Sequence, residues 1–262
     1  MPRAAEIAFE IRGLAVSAGG RQLIGSVDLD VRHGEVTALI GRNGSGKSTL
    51  LKVLARQVTA SSGTVAFEGR PLQSWERRAF ARAVAYLPQE PPAAAGLTVR
   101  ELVGYGRYPW HGALGRFGAA DEAGVARAMA LTGVERFAGR TIETLSGGER
   151  QRAWIAMLIA QESRCLLLDE PTSALDVQHQ MEILTLVRDL SRETDASVLL
   201  VLHDVNMAAR FAARICALRD GTLVAEGPPG DLMAPGMLDT VYGLPMAVIA
   251  HPAGAGPVAL PL

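Results

Sequence analysis

Three short stretches carry residues whose types and spacing suit work on a nucleoside triphosphate. Gly41-Arg42-Asn43-Gly44-Ser45-Gly46-Lys47-Ser48 fits the spacing G-x-x-x-x-G-K-[ST]. Its glycines let the backbone curl into a nest of inward N–H groups, and a helix opening behind it adds the positive end of its dipole. Lys47 would then reach the β- and γ-phosphates and Ser48 would hold Mg2+, with Thr49 beside them in the first helical turn. In the second stretch, Leu166-Leu167-Leu168 runs into Asp169 and Glu170. A phosphate cradle needs an acid at a neighbouring strand end to hold the metal, which is the part for Asp169. Glu170 would point toward the γ-phosphate, where a carboxylate can orient the attacking water or take its proton, so it is the expected catalytic base. By themselves two acids at a strand end read as a solvated terminus; the cradle reverses that reading. In the third, Leu145-Ser146-Gly147-Gly148-Glu149 sets Ser146, Gly147 and Gly148 at the start of a helix, a second loop of N–H groups suited to phosphate, although alone it is no more than an N-cap.

The elements that must hold these residues can be read from periodicity. Ile7 to Asp30 alternates apolar and polar positions around Ala18-Gly19-Gly20, which predicts short antiparallel strands and a turn. Val36 to Ile40 is a buried strand, Lys47 to Gln57 a helix, Thr64 to Phe67 a strand, Glu76 to Arg82 a helix and Ala83 to Leu87 a strand. From Glu90 to Gln161 strand signals give way to helices over Thr98 to Gly106, Ala120 to Thr132 and Gly148 to Gln161. Strand and helix alternate again over Cys165–Leu168, Val177–Glu193, Ser197–Leu202 and Val205–Ala213, which implies a parallel sheet. The expected fold is α/β: a P-loop NTPase parallel-sheet core with an amino-terminal antiparallel β subdomain and an inserted helical subdomain. As domains, 1–89 and 162–226 form the ATPase core, 90–161 the insert carrying Ser146 to Gly148, and 227–262 a peripheral tail with one or two short helices.

The order of these motifs resembles the ATP-binding cassette family of transporter ATPases. Ser146 stands 99 residues after Lys47 and just ahead of the Asp169-Glu170 strand, where that family carries its signature motif. Gln89 at the end of a strand, Ser173-Ala174-Leu175-Asp176 after the acidic pair and His203 after the next strand complete the register. The resemblance implies a head-to-tail dimer of two copies, with each ATP between Lys47 of one and Ser146-Gly147-Gly148 of the other. It also implies that His203 contacts the γ-phosphate and holds water with Glu170, and that Gln89 senses Mg2+ and the γ-phosphate and links them to the helical insert. Asp176 would shape the dimer contact, and equally well cap the helix that follows. Taken singly, His203 is an ordinary strand-end histidine. One departure stands out: family members stack an aromatic ring on adenine from the loop near residue 18, and Val16-Ser17-Ala18-Gly19-Gly20-Arg21 holds none.

Glu101 to Gly112 resembles the iron-siderophore, haem and cobalamin branch of importer ATPases. The longer stretches Tyr108–Gly118, Ser146–Asp176, Leu202–Arg210, Tyr242–Met246 and His251-Pro252-Ala253-Gly254 resemble ATPases of ferric hydroxamate uptake. The implied partners are a second copy, a separate transmembrane permease and, indirectly, a periplasmic siderophore-binding protein, with the chain peripheral on the cytoplasmic face of the inner membrane. The surface from Gln89 to Trp110 would receive the permease, although Leu97, Val99, Leu102 and Val103 fit internal core as well. Haem, catecholate siderophores and cobalamin are the alternative cargoes. Soluble cassette proteins of DNA repair, with long coiled coils before the signature, and of ribosomes, with two cassettes, fit less well, and a P-loop kinase or GTPase would need neither the signature nor His203.

Composition narrows the choice. The 262 residues are 48% hydrophobic and 20% charged, which excludes a disordered chain. Twenty-six basic against 27 acidic residues give net charge −1, so no global basic field recruits nucleic acid. No apolar run approaches the roughly 20 residues of a membrane span, and Met1-Pro2-Arg3 leads into polar sequence unlike a signal peptide. Cys165 and Cys216 sit in apolar runs as strand cores, and His179, His251 and the methionines show no ligand spacing. Lys47 and Lys52 are the only lysines, a bias toward arginine that points to a GC-rich bacterial genome.

Overall fold

A computed structural model describes residues 7–112, 115–173, 175–234, 236–251 and 256–262. Met1 to Arg3, Ala174 and Pro252 to Gly254 lie outside the described residues. The elements follow as β1 (Ile7–Ala18), β2 (Arg21–Arg32), β3 (Val36–Ile40), α1 (Lys47–Leu54), β4 (Ser62–Phe67), β5 (Arg70–Pro71), α2 (Arg77–Ala83), β6 (Val84–Leu87), α3 (Val99–Tyr105), α4 (Tyr108–His111), α5 (Ala119–Thr132) and α6 (Gly147–Ala160). After these come β7 (Cys165–Leu168), α7 (Val177–Thr194), β8 (Ser197–Val201), α8 (Val205–Phe211), β9 (Arg214–Arg219), β10 (Thr222–Gly227), α9 (Pro229–Leu232), α10 (Met237–Tyr242), β11 (Met246–Ala250) and β12 (Pro257–Pro261). The chain separates into two compact units, Met1–Trp75 with Leu190–Leu262, and Glu76–Asp189.

The first unit holds two sheets. One is antiparallel in the order β2-β1-β4-β5. Its strands β1 and β2 are long, because Gly19 and Gly20 both take positive φ and close a tight hairpin in which Ala18 pairs with Arg21. A bulge at Gly13, whose N–H donates to Asp28 at 2.6 Å, shifts the register. Phe9, Ile11, Leu14 and Val16 thereby all stay buried. The other sheet runs β10-β9-β3-β8, with β3 parallel to both β8 and β9 and β10 antiparallel at the edge. All five residues of β3 and of β8 are buried, the continuous apolar pattern of strands covered on both faces. Truncating Leu39 there would cost about 2–5 kcal/mol. Burial in β9 pushes the Cys216 thiol up to about 12, so it is an unreactive packing group.

In the second unit β6 and β7 pair in parallel, Val84 opposite Cys165 and Leu87 opposite Leu168, with α3, α5 and α6 packed together beyond them. Val99, Leu102 and Val103 are buried on α3, so these three are core and do not form a docking surface, and Leu97 is half-buried. The exposed apolar groups of this segment are instead Tyr105, Tyr108 and Phe117.

Three features depart from the sequence reading. Helix α1 stops at Leu54, short of Gln57, because Arg56 turns into the left-handed region. The short helix α4 went unread, since Pro109 and the flanking glycines read as loop. The tail, expected to hold one or two short helices, holds two, and β11 and β12 add an antiparallel hairpin. Asn206 of α8 holds that hairpin, donating to the Ala259 carbonyl at 3.1 Å and accepting the Ala259 N–H at 2.8 Å. A hairpin this short is marginal alone, and its anchor lies 53 residues away in sequence.

Candidate nucleotide site

The cradle lies in the first unit. The parallel register of β3 and β8 pairs Leu39 with Val201, and the Leu202 N–H donates to the Leu39 carbonyl at 3.1 Å. That register brings the segment after Ile40 level with the segment after Val201, so Gly41 and His203 leave neighbouring strand ends, where ligands of open α/β sheets gather. The loop needs its glycines. A Cβ on Gly41 would lie 2.1 Å from the Leu218 carbonyl oxygen, and Gly46, with φ 100°, would meet the Leu23 carbonyl at 2.9 Å. Gly46 caps α1 without any side-chain hydrogen bond, leaving the first turn's N–H groups uncapped by a side chain. Lys47 is 4% exposed, and its Nζ donates to the carbonyls of Gly41 at 2.8 Å and Arg42 at 3.0 Å. The Ser45 hydroxyl is buried with no hydrogen-bond partner. A buried orphan hydroxyl, an uncapped helix start and a fixed ammonium fit a phosphate chain. His203 is exposed, and Asp204 beside it caps α8 through the N–H groups of Asn206 and Met207. The loop near residue 18 is the exposed β1–β2 turn with Arg21 at its end, and no ring stands in it.

The acids lie in the second unit. Asp169 ends β7, 1% exposed, with its N–H donating to the Leu87 carbonyl at 2.9 Å. Burial, and then the nearby Asp169 carboxylate, pushes the Tyr86 phenol above its ordinary range, so it stays protonated. Glu170 takes φ 51°, a left-handed backbone that costs a non-glycine residue about 1–2 kcal/mol. Strain of this kind gathers at functional sites. Here it accompanies a short contact: Gln89 Nε2 donates to Glu170 Oε2 at 2.6 Å. Gln89, Glu170, Ser173 and Gly147 line one cleft of about 460 Å3, floored by Trp154. Structure therefore brings together Gln89, Glu170 and the start of the signature turn, residues spread over more than 80 positions of chain.

At the signature, Ser146 caps α6. Its Oγ accepts the Glu149 N–H at 3.3 Å while Glu149 Oε2 accepts the Ser146 N–H at 2.9 Å. That backbone hydrogen bond holds the Glu149 carboxyl below its usual range. Asp176 is exposed, and Oδ1 accepts both the backbone N–H of His179 at 2.9 Å and its Nδ1–H at 2.8 Å, which lowers its pKa. Of the two open readings of Asp176, its part as a cap of α7 is thus visible.

Two residues of this unit escaped the sequence reading. His179 enters the sequence reading only as a histidine without ligand spacing, although its place three residues after Asp176 is a helix-start signal. Arg107, 5% exposed, donates to Asp121 at 3.0 Å, Glu162 at 2.7 Å and the Ala160 carbonyl at 2.9 Å, closing the end of α6. Nothing local to Arg107 announces a buried charge whose partners lie 14 and 55 residues away.

Residues 24–173 match the ABC transporter family. The chain belongs to that family: it is an ATP-binding cassette and an ATPase. It is 47% identical over 247 residues to the hemin import ATP-binding protein HmuV of Streptomyces coelicolor, covering 94% of this chain and 87% of that one. It is 41% identical to the iron(3+)-hydroxamate import ATP-binding protein FhuC of Bacillus subtilis, covering 94% and 92%. Among solved structures, an inward-facing putative metal-chelate type ABC transporter superposes with TM-score 0.84 at 25% identity, over 98% of both chains. Among the described residues no helix is long and apolar enough to cross a membrane.

Proposed function

We propose that this chain is the ATP-hydrolysing subunit of an importer of iron chelates, acting as a head-to-tail dimer on a separate transmembrane permease. The observation that carries the coupling is the 2.6 Å hydrogen bond from Gln89 to Glu170. It joins the carboxylate that would take the proton of the attacking water to the residue that begins the stretch leading into the helices. In this reading the nest of Gly41 to Thr49 binds the triphosphate, Lys47 meets its β- and γ-phosphates and His203 meets the γ-phosphate. Ser146, Gly147 and Gly148 of the second copy close over it, with Asp176 at the contact. The hydroxyl of Ser48, the amide oxygen of Gln89 and the buried carboxylate of Asp169 are hard oxygen donors of the kind Mg2+ takes. When bound, Mg2+ would neutralise charge on the phosphates.

The segment 90–161 would serve as the arm that meets the permease, on 1–89 with 162–226 as ATPase core and 227–262 as tail. The chain would then sit peripherally on the cytoplasmic face of the inner membrane, with a periplasmic siderophore-binding protein upstream. Ferric hydroxamates are the cargo favoured by the resemblance of Tyr108–Gly118, Ser146–Asp176 and Leu202–Arg210 to hydroxamate-uptake ATPases, and haem is the second reading, favoured by the 47% identity to a hemin import protein. Deleting the gene and scoring growth on ferrichrome, haem or a catecholate siderophore as sole iron source tests both. Loss on ferrichrome alone supports the first reading, loss on haem alone the second, and unimpaired growth on every chelate counts against iron import.

A further inference from the structure

Helix α7 starts one residue after Asp176, and His179 is its third residue. The Asp176 carboxylate holds this histidine twice, through its backbone N–H and its ring Nδ1–H. The ring then reaches the other helix start. A Cβ built on Gly148 would lie 2.7 Å from Cδ2, 3.0 Å from Cγ and 3.1 Å from Nε2 of His179. Three ring atoms that close mean the imidazole lies over the Gly148 backbone. Gly148 has no left-handed φ, unlike Gly41, Gly44 and Gly46, so its backbone conformation does not demand glycine. The space taken by His179 does. One turn farther along both helices, Arg152 donates to Glu182 at 2.7 Å and makes a second bridge, leaving His179 as the contact nearest the two helix starts.

We infer that His179 is a positioning residue for ATP hydrolysis: it fixes the signature turn at Gly148 relative to the Asp176 loop, so that both meet the second copy as one surface. The inference rests on the reading of Ser146 to Gly148 as the part that closes over the other copy's nucleotide. The two attachments of the ring are separable. In His179→Asn the amide nitrogen stands where Nδ1 did and keeps the bond to Asp176, while the ring over Gly148 is lost. In His179→Phe the ring stays and the bond is lost.

Two measurements on the full chain test it. In thermal unfolding, Gly148→Ala lowers the Tm by about 5 °C or more, and adding His179→Ala restores at least half of that drop, a gain that misfolding cannot mimic. In steady-state Mg-ATP turnover, His179→Asn lowers kcat about fivefold or more while ATP affinity by equilibrium titration stays within about twofold. His179→Phe retains more activity than His179→Asn. The inference is overturned by a Tm that His179→Ala does not recover, by wild-type turnover in His179→Asn, or by a loss of nucleotide affinity as large as the loss of turnover. Lys47→Ala with undiminished ATP binding would instead remove the underlying site reading, so the two failures are distinguishable.

Discussion

Helices α1 and α6 both start from a loop of serine and glycine, and both loops read as phosphate cradles, yet their first turns are built differently. In α1 the N-cap is Gly46, with no side chain to bond the orphan N–H groups, and Lys47 is folded under the loop on two carbonyls. In α6 the N-cap is Ser146, and a reciprocal pair of bonds with Glu149 takes up the N–H groups of Ser146 and Glu149. The first turn of α1 therefore carries no side-chain cap at its N-terminal residue. In the α6 loop the Ser146 Oγ accepts the Glu149 N–H at 3.3 Å, and its O–H is the donor that the side chain still offers. Two helix starts that look alike in sequence therefore differ in how they are capped: a buried lysine packs under the first, and a side-chain pair closes the second.

The largest expected effect strikes hydrolysis and spares binding. Glu170→Gln keeps ATP affinity within about twofold and lowers turnover by about 10²–10⁴-fold, since an amide holds water but takes no proton. Size-exclusion chromatography of this variant with Mg-ATP should show a dimer; a monomer would break the assignment of α6 to a second copy.

Next comes Lys47→Ala, which removes the Nζ hydrogen bonds to the Gly41 and Arg42 carbonyls and the charge proposed to meet the phosphates. ATP affinity should fall about 30-fold or more by titration, given about 1.5–3 kcal/mol for hydrogen bonds to charged groups. An effect of the same size from Ser146→Ala on the isolated chain would erase the contrast between the loops.

Gly46→Ala and Ser146→Ala sharpen the contrast through stability. Forcing a Cβ to 2.9 Å from the Leu23 carbonyl at φ 100° should cost Gly46→Ala more than 1 kcal/mol. Ser146→Ala loses a cap worth about 1 kcal/mol, a Tm drop of about 2–4 °C. Equal Tm values for the two would mean that the α1 loop is not the tighter one.

The smallest effect is on pH dependence. Glu149 is held below its usual range by the Ser146 N–H, so its contribution is full above the ordinary glutamate range and is lost as pH falls through the depressed folded value. Acid unfolding followed by circular dichroism should therefore show a shallower loss of stability below about pH 4.3 in Glu149→Gln than in wild type. Identical acid limbs would show that the Ser146–Glu149 closure does not bias the turn.

Much of the site was legible because its signals are local. A buried strand, a glycine loop with a lysine and an amphipathic helix sit within Val36 to Leu54, and each restricts the next by short-range geometry. Likewise Cys165 to Leu168, apolar on both faces, can only be an interior strand, and the two acids must then stand at its exit. The hairpin of β11 and β12 was not legible. Its residues Ala247 to Ala250 and Val258 to Leu260 are short apolar runs among prolines, and their order comes from Asn206 on another element.

By itself the sequence determined the chemistry on offer: a nest of glycines, a lysine behind it, two acids at a strand end and a serine at a helix cap, because residue type and spacing over a few positions control nests, caps and strand exits. Tertiary structure alone decided which of them touch. Gln89 meets Glu170 across 81 positions, and His179 covers Gly148 across an intervening strand. Such contacts depend on how β6 and β7 pair and how α6 and α7 emerge from them, and neither residue's neighbours in sequence carry that information.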